Sequence, residues 1–142
     1  MLSMSTPVQK TVKVQLVSTI RHPNVQEETI NIKTKGILTL KGQQNYLVYE
    51  ESQNEKTIRT TVKLSGQNAL ILRSGGVKMR LPLERGEFQT GSYETQYGTM
   101  IITTNTKHLH FEVGRFQVEY ELIINEEVAG TYTLELTYTE AE

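Results

Sequence analysis

From Val8 to Tyr138, apolar residues occupy every second position within runs bounded by glycine, proline, asparagine or short polar clusters, and no stretch sustains a helical period. The pattern predicts strand after strand. The first run places Val8, Val12, Val14, Leu16 and Ile20 on one face and Gln9, Thr11, Lys13, Gln15 and Thr19 on the other, and stops at His22-Pro23-Asn24. Further runs follow at Glu28–Thr34, Ile37–Leu40, Tyr46–Glu50 and Ile58–Leu64, with Glu51-Ser52-Gln53-Asn54-Glu55 expected as a loop. Phe88–Tyr93, Thr99–Thr104 and Lys107–Val113 come next. The chain finishes on Phe116–Ile124 and Tyr132–Tyr138.

The sharpest local signal is Ser74-Gly75-Gly76-Val77, whose glycines suit a two-residue type I′ hairpin. That turn sets Leu72 against Met79 and Leu70 against Leu81 on one face. It sets Arg73 against Lys78 and Ile71 against Arg80 on the other. Short connections make sequential strands antiparallel neighbours, so the fold class is all-β, an up-and-down meander of about 8–10 strands. A meander with two free edges invites edge-to-edge association, and pairing Val8–Ile20 with Thr131–Thr139 removes both edges. A closed barrel is therefore predicted. Val12, Val14, Leu16, Leu70, Leu72, Met79, Leu81, Phe116, Val118, Leu122, Leu134 and Leu136 are expected to face its interior.

A length of 142 residues suits one domain, 1–142 with its core at about 8–139, in which about two thirds of the unfolded surface can be buried. The absent residue types narrow the chemistry. No Cys means no disulfide, thiolate nucleophile or cysteine-ligated metal, and all 16 acidic residues are Glu, which excludes EF-hand loops and Ser-His-Asp triads. Net charge is −1, and the segment MLSMSTPVQK lacks the charged and apolar regions of a signal peptide. The expectation is a cytoplasmic, non-enzymatic protein without a cofactor and without a membrane partner.

The residues Arg73-Ser74-Gly75-Gly76-Val77-Lys78-Met79, the segment Gly91 to Met100 and the strands carrying Tyr120 and Tyr132 resemble the YwiB-like family. That resemblance implies a lipocalin-like (calycin) β-barrel of uncharacterised function. It carries no catalytic motif. The chain differs from secreted lipocalins in having neither Trp, hence no G-x-W signature, nor a disulfide.

Four sets of residues are candidates for chemistry. A barrel of more than about eight strands has room for a small ligand unless its side chains fill it. With 3 Phe and no Trp, the interior is either an apolar cavity lined by Tyr46, Met79, Phe116, Tyr120, Tyr132 and Tyr138 or plugged by those same tyrosines. His108, His110 and Glu112 share one face of a strand, as metal ligands would, but no second His-rich strand completes a shell, so no metal is expected. Glu84, Glu87 and Glu94 could supply a carboxylate pair only if something fixed their separation.

Charge is also uneven. Arg59, Lys63, Arg73, Lys78, Arg80 and Arg85 face only Glu84 over residues 59–85, whereas residues 112–142 hold eight Glu and one Arg. The opposed Arg73 and Lys78 suggest an anion-binding outer wall of Arg59, Lys63, Arg73, Lys78 and Arg80. The reading is thus a binder of a small apolar or amphipathic molecule inside the barrel, the alternative being a module that binds RNA or an acidic partner through the basic wall.

Overall fold

The computed structural model describes residues 8–53 and 55–141, so the segment Met1–Pro7, the loop residue Asn54 and Glu142 of the acidic block lie outside it. Ten strands follow one another: β1 (Val8–Arg21), β2 (Glu28–Lys41), β3 (Gln44–Gln53), β4 (Lys56–Ser65), β5 (Asn68–Gly75), β6 (Lys78–Glu84), β7 (Phe88–Thr95), β8 (Gly98–Glu112), β9 (Arg115–Ile124) and β10 (Glu127–Glu140). Each pairs antiparallel with its sequence neighbours, and β1 pairs with β10 from Val12↔Glu140 to Arg21↔Thr131. The barrel is closed, as the edge argument requires.

Two predicted breaks are continuous strand. Gly36 lies inside β2 rather than between strands, because its missing side chain lets β3 approach. A Cβ there would meet the Val48 carbonyl oxygen at 2.7 Å and the side chains of Val14 and Tyr49. Thr99–Thr104 and Lys107–Val113 are likewise one strand, β8, with a register shift between Thr106 and His108. The bulge restores Leu109 to the interior after Thr104 and Thr106, both buried. The expected loop at 51–55 is also shorter, since β3 continues to Gln53.

The β5–β6 hairpin corrects the predicted register. Arg73 pairs with Met79, Leu72 with Arg80, Ile71 with Leu81 and Leu70 with Pro82. The shift is one residue, so it exchanges the two faces of β5. The reason is non-local: Gly75 pairs with Ile58 of β4, and the Gly76 N–H donates to the Thr57 carbonyl at 3.2 Å. Of the two glycines only Gly75 has positive φ, at 99°, so the type I′ turn, which needs two, does not form. Leu70 and Leu72 consequently face outward, Leu72 with 39% of its surface exposed, and Ile71 and Arg73 face inward. The other ten residues predicted inward do share the interior face.

Strand direction gives the barrel two ends. The connections after β1, β3, β5, β7 and β9 form one, called here the mouth, and those after β2, β4, β6 and β8 form the base. Pairing differs between them. β2 and β3 pair only from Lys41↔Gln44 to Gly36↔Tyr49, so they part toward the mouth. β6 and β7 pair only near the mouth, from Lys78↔Glu94 to Arg80↔Ser92. Their lower gap is closed by β8: the Thr104 hydroxyl donates to the Pro82 carbonyl at 2.7 Å, and Arg85 bridges to Thr106.

Candidate functional site

At the base the interior is filled. Leu47, Leu64, Phe116 and Leu136 expose 0% of their surface, and Leu83, Leu109 and Val118 scarcely more. Toward the mouth Ile58 of β4 is buried, but Ile20, Ile30, Ile32, Met79, Tyr93, Met100, Leu122, Ile124, Tyr132 and Leu134 face inward and are incompletely buried. Ile30 and Met100 each expose 40%. These side chains surround two lobes of a cavity, of about 190 and 230 Å³. Both are lined by Met79, Leu81, Tyr120 and Tyr132.

Tyr120 and Tyr132 are cross-strand partners whose rings stack 5.2 Å apart, 4° from parallel. The first lobe extends from them over Leu16, Ser18, Ile20, Ile30 and Ile32 to Tyr49, Glu51, Thr60 and Arg73. The second extends over Tyr93, Met100, Ile102, Leu122 and Ile124 and is nearly all apolar. The polarity of the interior is therefore concentrated in one lobe.

Arg73 and Glu51 form an ion pair there, with Arg73 Nη2 donating to Glu51 Oε1 at 2.9 Å and side chains 23% and 12% exposed. Alternation explains both placements: Glu51 continues the inward series Leu47-Tyr49 on β3, and Arg73 continues Ala69-Ile71 on β5. Arg73 lies across from Thr60 of β4, whose buried hydroxyl has no hydrogen-bond partner. Burial, with the Glu51 carboxylate adding to it, pushes the Tyr49 phenol up to about 12. Burial also raises Tyr120, reinforced by Tyr132, and Arg73 opposes that rise. All three phenols at this lobe, Tyr132 included, hold their protons above the usual tyrosine range.

The residues singled out from sequence divide sharply. Met79, Tyr120 and Tyr132 line the cavity. Phe116 and Tyr138 face inward too, but they fill the base, where burial raises the Tyr138 phenol and leaves its hydroxyl unpaired. Tyr46 is a correction: it stands outside, because Leu47 and Tyr49 take the inward parity of β3. Its phenol donates to Gln44 Oε1 at 2.6 Å, and Lys63 Nζ sits 5.8 Å from the ring centre.

The proposed outer wall loses its centre. Arg73 is inside and opposite Met79, so the opposed Arg73 and Lys78 do not exist. Arg59, Lys63, Lys78 and Arg80 do face outward, with Lys78 Nζ 3.3 Å from Glu94 Oε2 and Arg80 Nη1 3.4 Å from the Thr90 carbonyl. His108 and His110 are exposed on the outer face of β8, across from Glu119 and Gln117, with His110 Nε2 3.8 Å from Glu112 Oε1. Among the described residues no group of three or more His or Glu is placed to hold a metal ion. Glu84 and Glu87 flank the β6–β7 turn at the base, whereas Glu94 is at the mouth end of β7, apart from the other two. His22, in the segment where the first run stops, ties the β1 end to the β10 bulge through Nδ1 and the Ala129 carbonyl, 3.0 Å apart.

Reading by residue type put Arg73 outside and ended β3 before Glu51. The signal that finds both is parity, since Ile71 and Arg73, like Tyr49 and Glu51, are two residues apart on a strand. No described helix is long and apolar enough to cross a membrane.

Comparison with known proteins agrees with this architecture. The chain is 26% identical over 126 residues to the "Uncharacterized beta-barrel protein YwiB" of Bacillus subtilis (strain 168), covering 86% of this chain and 89% of that protein. The crystal structure of the ywiB protein from Bacillus subtilis superposes with a TM-score of 0.82 at 24% sequence identity over 94% of each chain. The family described as "Domain of unknown function (DUF1934)" matches residues 14–136, and by that match the protein belongs to the DUF1934 family.

Proposed function

We propose that the protein is a non-catalytic binder of a small apolar or amphipathic molecule, held in the mouth half of the barrel. The observation that carries the reading is the cavity between Tyr120, Tyr132, Met79 and Leu81, whose surrounding apolar side chains stay partly open to solvent. An exposed Ile or Met on an inward face has not gained the burial its surface could give, and a ligand supplies it. Each lobe lies below the roughly 300–1,000 Å³ of sites for drug-sized molecules, which favours a small or slender ligand. Among the described residues the β8 histidines are exposed on the outer face and Glu51, the carboxylate lining the cavity, is bonded to Arg73, which supports a binding role over a catalytic one.

The test is titration with an environment-sensitive apolar fluorophore. One probe should bind per chain, and Tyr120→Ala or Tyr132→Ala should change its affinity by enlarging the site. Absence of saturable binding, or identical affinity in both variants, contradicts the reading.

A further inference from the structure

Accepting a ligand in the mouth half, the ion pair beside it carries information about that ligand's polar end. Glu51 already balances the charge of Arg73 at 2.9 Å, and the two lie with Thr60 on the wall of one lobe. The bond to Glu51 uses one of the guanidinium's five N–H donors. Thr60 adds a buried hydroxyl without a partner, directly across the β4–β5 ladder from Arg73. Tyr49 and Tyr120, with their phenols held protonated by burial, complete a polar floor that carries no net charge.

A charged head brought against this floor meets attraction from one member of the pair and repulsion from the other. It also loses its hydration, and attraction to one member of the pair, opposed by repulsion from the other, does not repay that loss in full. A neutral head that both donates and accepts hydrogen bonds meets neither repulsion nor the desolvation of a charge. It can accept from the guanidinium, donate to the carboxylate and satisfy Thr60.

We infer that the Arg73–Glu51 pair with Thr60 is the head-group subsite for an uncharged amphiphile, an alcohol or amide on an apolar tail, and that it discriminates against fatty carboxylates and alkylammonium ions. The inference rests on the ligand-binding reading above.

Calorimetric titration with octanol, octanoate and octylammonium at neutral pH separates the two, because the three share a tail and differ in head charge. Octanol should bind at least about tenfold more tightly than either ion. Glu51→Gln leaves Arg73 uncompensated and should turn the preference toward octanoate. Arg73→Gln leaves Glu51 uncompensated and should turn it toward octylammonium, with circular dichroism confirming that each variant is folded.

Octanoate binding to the wild type as tightly as octanol overturns the inference while leaving the cavity reading intact. So does an octanol affinity unmoved by Glu51→Gln and by Thr60→Val together. Binding of none of the three contradicts the cavity reading itself. The wild-type series needs no variant, so a failure of either substitution to fold does not protect the inference.

Discussion

Phe116 and Tyr132 both face the barrel interior, both are aromatic and both sit on strands that cross the same wall, yet they have opposite surroundings. Phe116 at the base is fully buried in a cluster with Leu136, Leu109 and Val118, and the Thr104 hydroxyl of β8 bonds the Pro82 carbonyl of β6. Around Tyr132 at the mouth, β2 and β3 have parted and the apolar neighbours remain partly exposed. One alternating pattern produced both. Alternation states which way a side chain points; whether it meets a partner depends on how the strands converge, and the parting of β2 and β3 at the mouth stays open whereas that of β6 and β7 at the base is closed by β8.

Truncation should expose the difference most strongly. Phe116→Ala leaves a cavity in a close-packed region and should cost about 3–5 kcal/mol. Ile30→Ala, also inward but 40% exposed, should cost less than about 1.5 kcal/mol. Chemical denaturation measures both, and equal costs would remove the distinction between base and mouth.

The ion pair gives the next largest effect. Arg73→Leu leaves Glu51 in the barrel without its counter-charge and should cost about 2–4 kcal/mol, reduced from a fully buried pair by the residual exposure. Glu51→Leu combined with Arg73→Leu should recover most of that loss. A double variant as unstable as the single would mean that side-chain shape, rather than charge, sets the cost.

Alkaline titration sharpens the comparison through the tyrosines. Folding raises Tyr49 from 10.0 to about 12 and raises Tyr120, Tyr132 and Tyr138 as well, so the folded protein keeps protons that the unfolded chain releases. Their contribution to stability is whole below about pH 10 and is lost as pH rises through the folded values. The denaturation midpoint should therefore fall from about pH 10 upward, together with the phenolate absorbance change. A midpoint that stays flat to pH 12 would place these phenols in water.

The smallest effect belongs to Leu72→Ala, expected to cost less than about 1 kcal/mol because Leu72 is on the outer face. A loss of about 2–5 kcal/mol would restore the hairpin register read from sequence and put Arg73 outside.

Much of the fold was legible in the chain. Period-two alternation located the strands, and the hazard of free edges selected closure of β1 on β10. What escaped was set by distant partners. Gly75 and Gly76 look like a local turn, but β4 engages both, which moves the register by one residue. Gly36 looks like a break, yet it makes room for the Val48 carbonyl of the next strand.

The candidate site was half legible for a related reason. Met79, Tyr120 and Tyr132 followed from parity and residue size, whereas Phe116 and Tyr138 share that parity and lie in the filled end. Arg73 and Glu51 were lost to the habit of placing charge outside, which holds for single residues and fails for a pair that meets across strands. Tyr46 was included for its phenol, although Leu47 and Tyr49 fix its parity outward.

The contrast between a closed base and a receptive mouth is tested most directly by following methyl resonances of the intact protein during titration with octanol. Saturable shifts should appear at Ile20, Ile32, Met79 and Leu134, while Leu47, Leu64, Leu109 and Val118 stay still. Shifts spread evenly over both sets, or none that saturate, would contradict a binding cavity confined to the mouth.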